Sequence, residues 1–292
     1  MGNRKNPLIK NIELLEYLTE CSMLRSALSD FFIKTRDCTI TVLSDDAGIP
    51  TALLLTEVKD NTEILFLSSL NDDIKSKQIL IDYLKKNLSP HSSIIWRVAE
   101  SDANKDLAPS NNFKCAYTVN LFRSVGSGDE RLITVLEENK KLYNFMLKYG
   151  YEVKSFNELS EDELSQIKNN PDNEFDTGLH AKELIEDTIG GFSKTFSFAA
   201  VKEGKVAAYN IVRCPDGKHI IFEIINVAKS YRNKGVFILP FYASLNEMNN
   251  KGIESGSFAI YEINTPALNV VTKRFSKLIS SHTLQHNYIY SA

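Results

Sequence analysis

Residues 219–236 read HIIFEIINVAKSYRNKGV, and the reading of this stretch decides the fold. Nine residues dominated by apolar side chains, with Glu223 in the middle, lead into the polar, glycine-containing segment YRNKGV. An apolar helix follows, then a second strand that ends in NTPAL at residues 264–268. A glycine loop between a strand and a helix lets free backbone N–H groups converge on an anion. A phosphate-bearing cofactor is therefore the first expectation.

The 292 residues give room for two domains, each able to bury its own core. A hydrophobic fraction of 43% and a charged fraction of 24% are those of an ordinary globular protein. The net charge of -3, from 34 basic and 37 acidic residues, supplies no clustered cationic surface, so neither DNA nor bulk RNA is expected as a partner. Cys21, Cys38, Cys115 and Cys214 are far apart with no Cys-x-x-Cys pair, which suggests reduced thiols and no metal site. The opening MGNRKNPLIKNIELL lacks the apolar core of a signal peptide, and no stretch approaches the ~20 apolar residues of a membrane span. A cytoplasmic location with no membrane partner is expected.

Outward from the loop, turn spacing exposes a repeat. The first half carries strands from Thr39, from Ala52 to Val58 and from Ile64 to Leu67, separated by turns at Asp45–Gly48 and Asp60–Asn61. The second half carries strands from Phe196, from Lys205 to Arg213 and from His219 to Val227, with turns at Glu203–Gly204 and Asp216–Gly217. Gly204 follows Gly48, and Gly217 follows Asn61, by the same 156 residues (204 − 48; 217 − 61). Farther on, Glu262 follows Glu100 by 162 (262 − 100), so about six residues differ between the third and fourth strands. That interval holds AKSYRNKGV in the second copy and the glycine-free SSLNDDIKSKQ in the first, where Asp72 and Asp73 would repel a phosphate. Ser124–Asp129, SVGSGD, reads as a flexible linker, with the boundary near Gly128. An amphipathic helix with Leu132, Val135, Leu136, Leu142 and Met146 should follow, then a short helix opened by a Ser160–Glu163 capping box.

With these residues in place, the second half resembles the GNAT superfamily of acyl-CoA-dependent N-acyltransferases, well over Tyr151–Ala292 and faintly over Leu28–Arg123. The resemblance implies an α/β (α+β) fold of two tandem GNAT-like domains, each a mixed, mostly antiparallel sheet flanked by helices. Residues 1–128 would be a degenerate copy lacking the pyrophosphate loop, and 129–292 the copy that binds acetyl-CoA. The family's loop pattern is met by Arg232, Asn233, Lys234, Gly235 and Val236, with Tyr231 ahead of the arginine. Phe237 departs from it, standing where relatives have a small residue, so the loop stays open only if the ring turns into the core. Pro240, about a turn into the helix, favours a kink. The family's Asn-x-x-Ala pattern is met by Asn264 and Ala267, and implies that Asn264 holds the pantetheine arm. Ile225, Asn226 and Val227 would line the same arm from the strand edge. Many relatives place a thiolate-protonating tyrosine where this chain has Val271, so water or another hydroxyl, Tyr288, would serve.

Acyl transfer to an amine needs a proton acceptor and a stabiliser for the developing oxyanion. Strand alternation places Glu223, Ile225 and Val227 on one face, which makes Glu223 the general-base candidate, and backbone N–H from Asn226 or Val227 could meet the oxyanion. The expected acceptor is a primary amine of a small molecule. Asp172, Glu174, Asp176, Glu183, Glu186 and Asp187 would favour a cationic one, or form a solvated acidic helix face. His282 and His286 sit in a strand-like segment and are not expected to share a metal. Two other functions stay open: a non-catalytic acyl-CoA sensor or scaffold, and an aminoacyl-tRNA-dependent transferase built on paired domains of this kind.

Overall fold

The computed structural model describes residues 38–44, 50–59, 62–69, 78, 81–82, 85–86, 93–99, 106–176, 178–186 and 191–291, with the backbone alone for the strands before residue 100. The turns at Asp45–Gly48 and Asp60–Asn61, the first-copy interval with Asp72 and Asp73, and Asp187 lie outside the described residues.

The chain divides into two compact units, Met1–Asn120 with Thr283–Ala292, and Leu121–His282. Gly128, where the sequence suggested a boundary, lies inside the second unit, and the last ten residues join the first.

In the first unit, β1 (Cys38–Ser44), β2 (Pro50–Lys59), β3 (Thr62–Ser69) and β4 (Ser93–Ala99) lie side by side in chain order. The β1/β2 and β2/β3 pairs are antiparallel and β3/β4 is parallel. The C-terminal part of the last strand, Gln285–Ser291, completes this unit by pairing antiparallel with Ser93–Ala99.

The second unit repeats the order. Its strands are β5 (Lys114–Ser124, which enters from the first unit), β6 (Tyr151–Ser155), β7 (Phe198–Lys202), β8 (Lys205–Arg213), β9 (His219–Val227) and β10 (Ser255–Tyr261). The β7/β8 and β8/β9 pairs are antiparallel and β9/β10 is parallel. Strand β10 spans 255–261 and β4 spans 93–99, so both ends keep the 162-residue spacing (255 − 93; 261 − 99).

Helices cover both faces of the second sheet. On one face α1 (Glu130–Lys148) and α2 (Ile238–Asn250) bury Leu132, Val135, Met146, Leu239 and Leu245 against Val212, Ile220 and Phe222. On the other, α3 (Glu161–Asn169) and α4 (Gly178–Ile185) bury Ile167, Ala181 and Leu184 against Tyr209, Ile211 and Ile224. Both helix starts expected from sequence are present. Asp129 accepts from Arg131 N at 2.9 Å, and Ser160 and Glu163 form the reciprocal capping box. The glutamate also takes Lys154 Nζ at 2.6 Å.

The segment read as a flexible linker is held fast. Val125 N donates to Leu278 O, Ser127 N to Ile253 O, and Gly128 N to Asn249 Oδ1. Small residues serve close approach here, since a Cβ on Gly126 would lie 2.0 Å from Glu254 O. Composition alone does not separate a flexible glycine from one demanded by packing.

Candidate functional site

Strand β9 changes character along its length. Its pairing with β10 runs from His219↔Ser255 to Phe222↔Phe258 and stops there, although β9 continues to Val227 and β10 to Tyr261. On its other edge β9 stays paired with β8 to Val227, but the register shifts: Ile211 faces Ile224 and Val212 faces Phe222. Glu223 is the extra residue of this bulge. The insertion reverses the alternation, because Phe222 enters one core and Ile224 the other. Glu223 accordingly does not share a face with Ile225 and Val227, as simple alternation suggests. It turns instead to Arg213, whose Nε lies 2.6 Å from Glu223 Oε1 and whose Nη2 contacts the same oxygen.

Beyond the bulge the two strands part and leave a gap. Ala228 N donates to Ala207 O at 2.9 Å, so alternation turns the N–H groups of Asn226 and Ala228 toward β8 and those of Ile225 and Val227 toward the gap. Of the two backbone donors expected from sequence, Val227 is the one that faces it. Uncovered apolar side chains stand near the diverging ends: Ile225 on β9, Tyr261 as the last residue of β10, and Ile263 just after it.

The loop follows at the end of β9. A single 3-10 turn, Lys229–Tyr231, leads to Arg232 in extended conformation, then to Asn233 and Gly235 with φ of 62° and 72°. Two left-handed residues flanking Lys234 curl the chain so that successive N–H groups point inward, the geometry of an anion nest. Among the described residues, no acceptor is in reach of the backbone N–H groups of Asn233 to Phe237. Val236 is buried and offers only its backbone. Phe237 is the N-cap of α2, and its ring packs edge-on against Phe275 at 6.4 Å, clear of the loop. Pro240 is the third helical residue, where no intrahelical N–H bond is lost, so it does not kink the helix. A buried polar network locks this helix to the sheet: Asn210 Nδ2 donates to Ser244 Oγ (2.6 Å) and Pro240 O (3.2 Å), and Ser244 Oγ donates to Phe196 O (2.6 Å).

On the opposite side of the gap, Asn264 caps α5 (Thr265–Arg274) by accepting from Ala267 N at 3.3 Å. The sequence-predicted contacts Ile225, Val227, Arg232, Asn233, Lys234, Gly235, Val236, Asn264 and Ala267 thus all lie on the two strand ends that diverge, or on what directly follows them. Asn226 sits among them with its N–H turned away. Val271 is buried.

Tyr288 is not in this group. It belongs to the first unit, where it pairs with Trp96, and burial, with smaller contributions from Cys115 and Asp106, raises its phenol above the usual range. Sequence could not foresee this, because the C-terminal strand continues from one unit into the other. His282 and His286 also divide, His282 stacking on Phe122 at 4.5 Å and His286 lying 3.1 Å from Thr118 Oγ1. Among the described residues no three His, Cys, Asp or Glu side chains gather as a metal site, and no helix is long and apolar enough to cross a membrane.

The acidic stretch before α4 is engaged by the loop. Glu174 Oε2 accepts from Ser230 N (3.0 Å) and Ser230 Oγ (2.9 Å), bonds that hold its carboxyl below the usual range. Asp176 Oδ2 lies 2.5 Å from Arg232 Nη2, and Lys229 Nζ donates to Asn173 O. Glu186 pairs with Lys168 at 3.2 Å. These carboxylates are compensated from within the chain, which weakens their case as an attractor for a cation. The residue that sequence missed is Arg213, which ends the apolar strand KVAAYNIVR and reads as a solvated terminus. In the fold it is 1% exposed. A cavity of about 380 Å³ lined by Tyr143, Val153, Phe198, Tyr242 and Asn246 contains none of these groups.

Solved structures share this architecture. A GCN5-related N-acetyltransferase from Sphaerobacter thermophilus matches with a TM-score of 0.63 at 10% identity, covering 91% of this chain and 85% of that one. A tandem GNAT protein of the clavulanic acid biosynthesis pathway matches at 0.57 and 10% identity, covering 87% and 82%. A glucosamine N-acetyltransferase region in a fungal multi-domain β-N-acetylglucosaminidase matches at 0.57 and 11% identity, covering 97% of this chain and 37% of that one. No family model and no curated protein matches the sequence. The chain has the fold of the GNAT acetyltransferases.

Proposed function

We propose that the chain is an acyl-CoA-dependent N-acyltransferase that moves an acetyl group from acetyl-CoA to a primary amine of a small molecule. One observation carries this reading: β9 and β10 separate after Phe222 and Phe258, and the nest at Asn233–Val236 opens where β9 ends. A slot edged by free strand N–H groups suits the amides of a pantetheine arm, and the nest with Arg232 and Lys234 suits its pyrophosphate. Asn264 would hold the arm from the opposite side.

In this reading the amine nitrogen forms a bond to the thioester carbonyl while the carbon–sulfur bond breaks. Val227 N–H meets the oxyanion and Glu223 Oε2 takes the one proton that the amine gives up; water protonates the departing thiolate, and the hydroxide so formed recovers the proton from Glu223. Water is assigned that role because the Val271 side chain, at the family's tyrosine position, has no proton to give. The same observation favours a second reading, a non-catalytic acyl-CoA sensor.

Thermal unfolding with increasing acetyl-CoA tests binding, because a ligand of the native state stabilises by about 2.7 kcal/mol at 100 times its Kd. Arg232→Ala and Gly235→Ala should each weaken the effect, the latter because alanine resists the left-handed backbone. Absence of any shift at millimolar acetyl-CoA would overturn the reading. Free thiol release with an amine panel then separates transferase from sensor.

A further inference from the structure

Arg213 is the largest fully buried side chain of the described residues, and its Nη1 is a buried side-chain donor with no acceptor among them. A buried N–H left unpaired costs about 1–3 kcal/mol, so a state of the protein that gives Nη1 an acceptor is favoured on that scale. The location narrows the choice. Arg213 pairs with Ile221 across β8/β9 and forms a bridge to Phe192 on its other edge, beside the core under α3 and α4. Its guanidinium reaches the bulged residue Glu223, the first residue past the point where β9 and β10 part.

The two side chains leave a matched pair of groups. Both guanidinium bonds go to Glu223 Oε1, which leaves Oε2 outside the pair, while Nε and Nη2 are used and Nη1 is not. A ligand would find an anionic oxygen beside a cationic donor. Charge decides which amine fits. Arg213 and Glu223 cancel, so an ammonium bound at Oε2 brings an uncompensated positive charge into a site where Arg213 is 1% and Glu223 11% exposed. A carboxylate on the same small molecule, set against Nη1, restores neutrality and satisfies the unpaired N–H.

We infer that Arg213 is a specificity-determining residue for the acceptor, and that the acceptor is an α-amino acid held by its ammonium at Glu223 and its carboxylate at Arg213. This rests on the acyltransferase reading for its place in a reaction, although the binding itself needs no donor. Nη1 has no acceptor among the described residues, and a ligand that supplies one would enter past Glu223 and displace what covers the guanidinium in the free chain.

The test compares matched ligands on the full chain without acetyl-CoA: an α-amino acid, its primary amide and the amine lacking the carboxylate, for example phenylalanine, phenylalaninamide and phenethylamine, together with the corresponding leucine and glycine sets. Binding is read by ligand-observed NMR titration. A charge-assisted hydrogen bond of the usual strength predicts that the amino acid of at least one set binds about 10-fold or more tighter than its decarboxylated amine, with the amide between. Arg213→Lys keeps a charge for Glu223 but withdraws the fork, and should shrink that ratio to about threefold or less while sparing the plain amine. Equal binding of amino acid and amine in every set, no amino-acid binding at millimolar concentration, or a ratio unchanged in Arg213→Lys would overturn the inference. If the lysine variant fails to fold, the wild-type ratios alone decide. Lack of thiol release with acetyl-CoA would count against the acyltransferase reading and leave this result untouched.

Discussion

The two halves of β9 are made of nearly the same residues and do opposite things. HIIF, 219–222, is paired on both edges and closed into the sheet, whereas EIINV, 223–227, is paired only with β8 and gives its second edge to a gap. Hydrophobicity does not distinguish them. One inserted residue does: the bulge at Glu223 turns the strand and exchanges the two faces, and β10 no longer follows beyond it. A free strand edge invites association with other strands, and here it is only a few residues long and sits beside a polar loop.

The sharpest way to break the comparison is to remove the pair at the junction. Glu223→Leu leaves the Arg213 guanidinium buried and uncompensated, and should cost about 3–5 kcal/mol in urea unfolding. The double variant Arg213→Met with Glu223→Leu should recover most of that loss, because it removes both charges together. A single variant within ~1 kcal/mol of wild type would mean that the junction does not depend on the pair.

The closed half offers the next test. Gly126 packs against Glu254 O and Ile253 O, the carbonyls just ahead of β10, and a Cβ there meets backbone that cannot rotate away. Gly126→Ala should cost about 3 kcal/mol by thermal denaturation, which is the scale of overpacking against rigid neighbours. A neutral result would show that the start of β10 can shift.

Much of this was legible in the sequence, and what was not has identifiable causes. Turn residues made the strand order of the second half legible, since Gly204 and Gly217 take the left-handed conformation that their turns require. The loop was legible because glycine, arginine and a following helix occur together. The bulge was not, since an extra residue in an apolar run changes no letter. The role of Arg213 was hidden for a related reason: burial of an arginine depends on a partner ten residues away, across a turn. The fate of Tyr288 depends on where the last strand finds its neighbour, which no local pattern encodes. SVGSGD was misread because small residues serve flexibility and close packing equally well.

The smallest effect lies at the far end of the closed half, in the turn that starts β9. Asp216 Oδ1 accepts from Lys218 N (2.9 Å) and His219 N (2.8 Å), and Oδ2 lies 2.5 Å from His219 Nδ1. Burial would raise this carboxyl, but the His219 contact and the two backbone N–H bonds outweigh it and hold it below the usual range. A carboxyl depressed in the folded state adds stability above its unfolded value of about 3.9, and that contribution is lost as pH falls through the folded value. Asp216→Asn should therefore cost about 0.5–1 kcal/mol at pH 7, the scale of an exposed charge-assisted contact, and progressively less below about pH 4. Urea midpoints from pH 3 to pH 7 measure this difference, which the open half should not share: acetyl-CoA affinity at pH 7 should be unchanged. A stability difference that is the same at pH 3 and pH 7 would show that the side chain's shape, rather than its charge, fixes the turn where β9 begins.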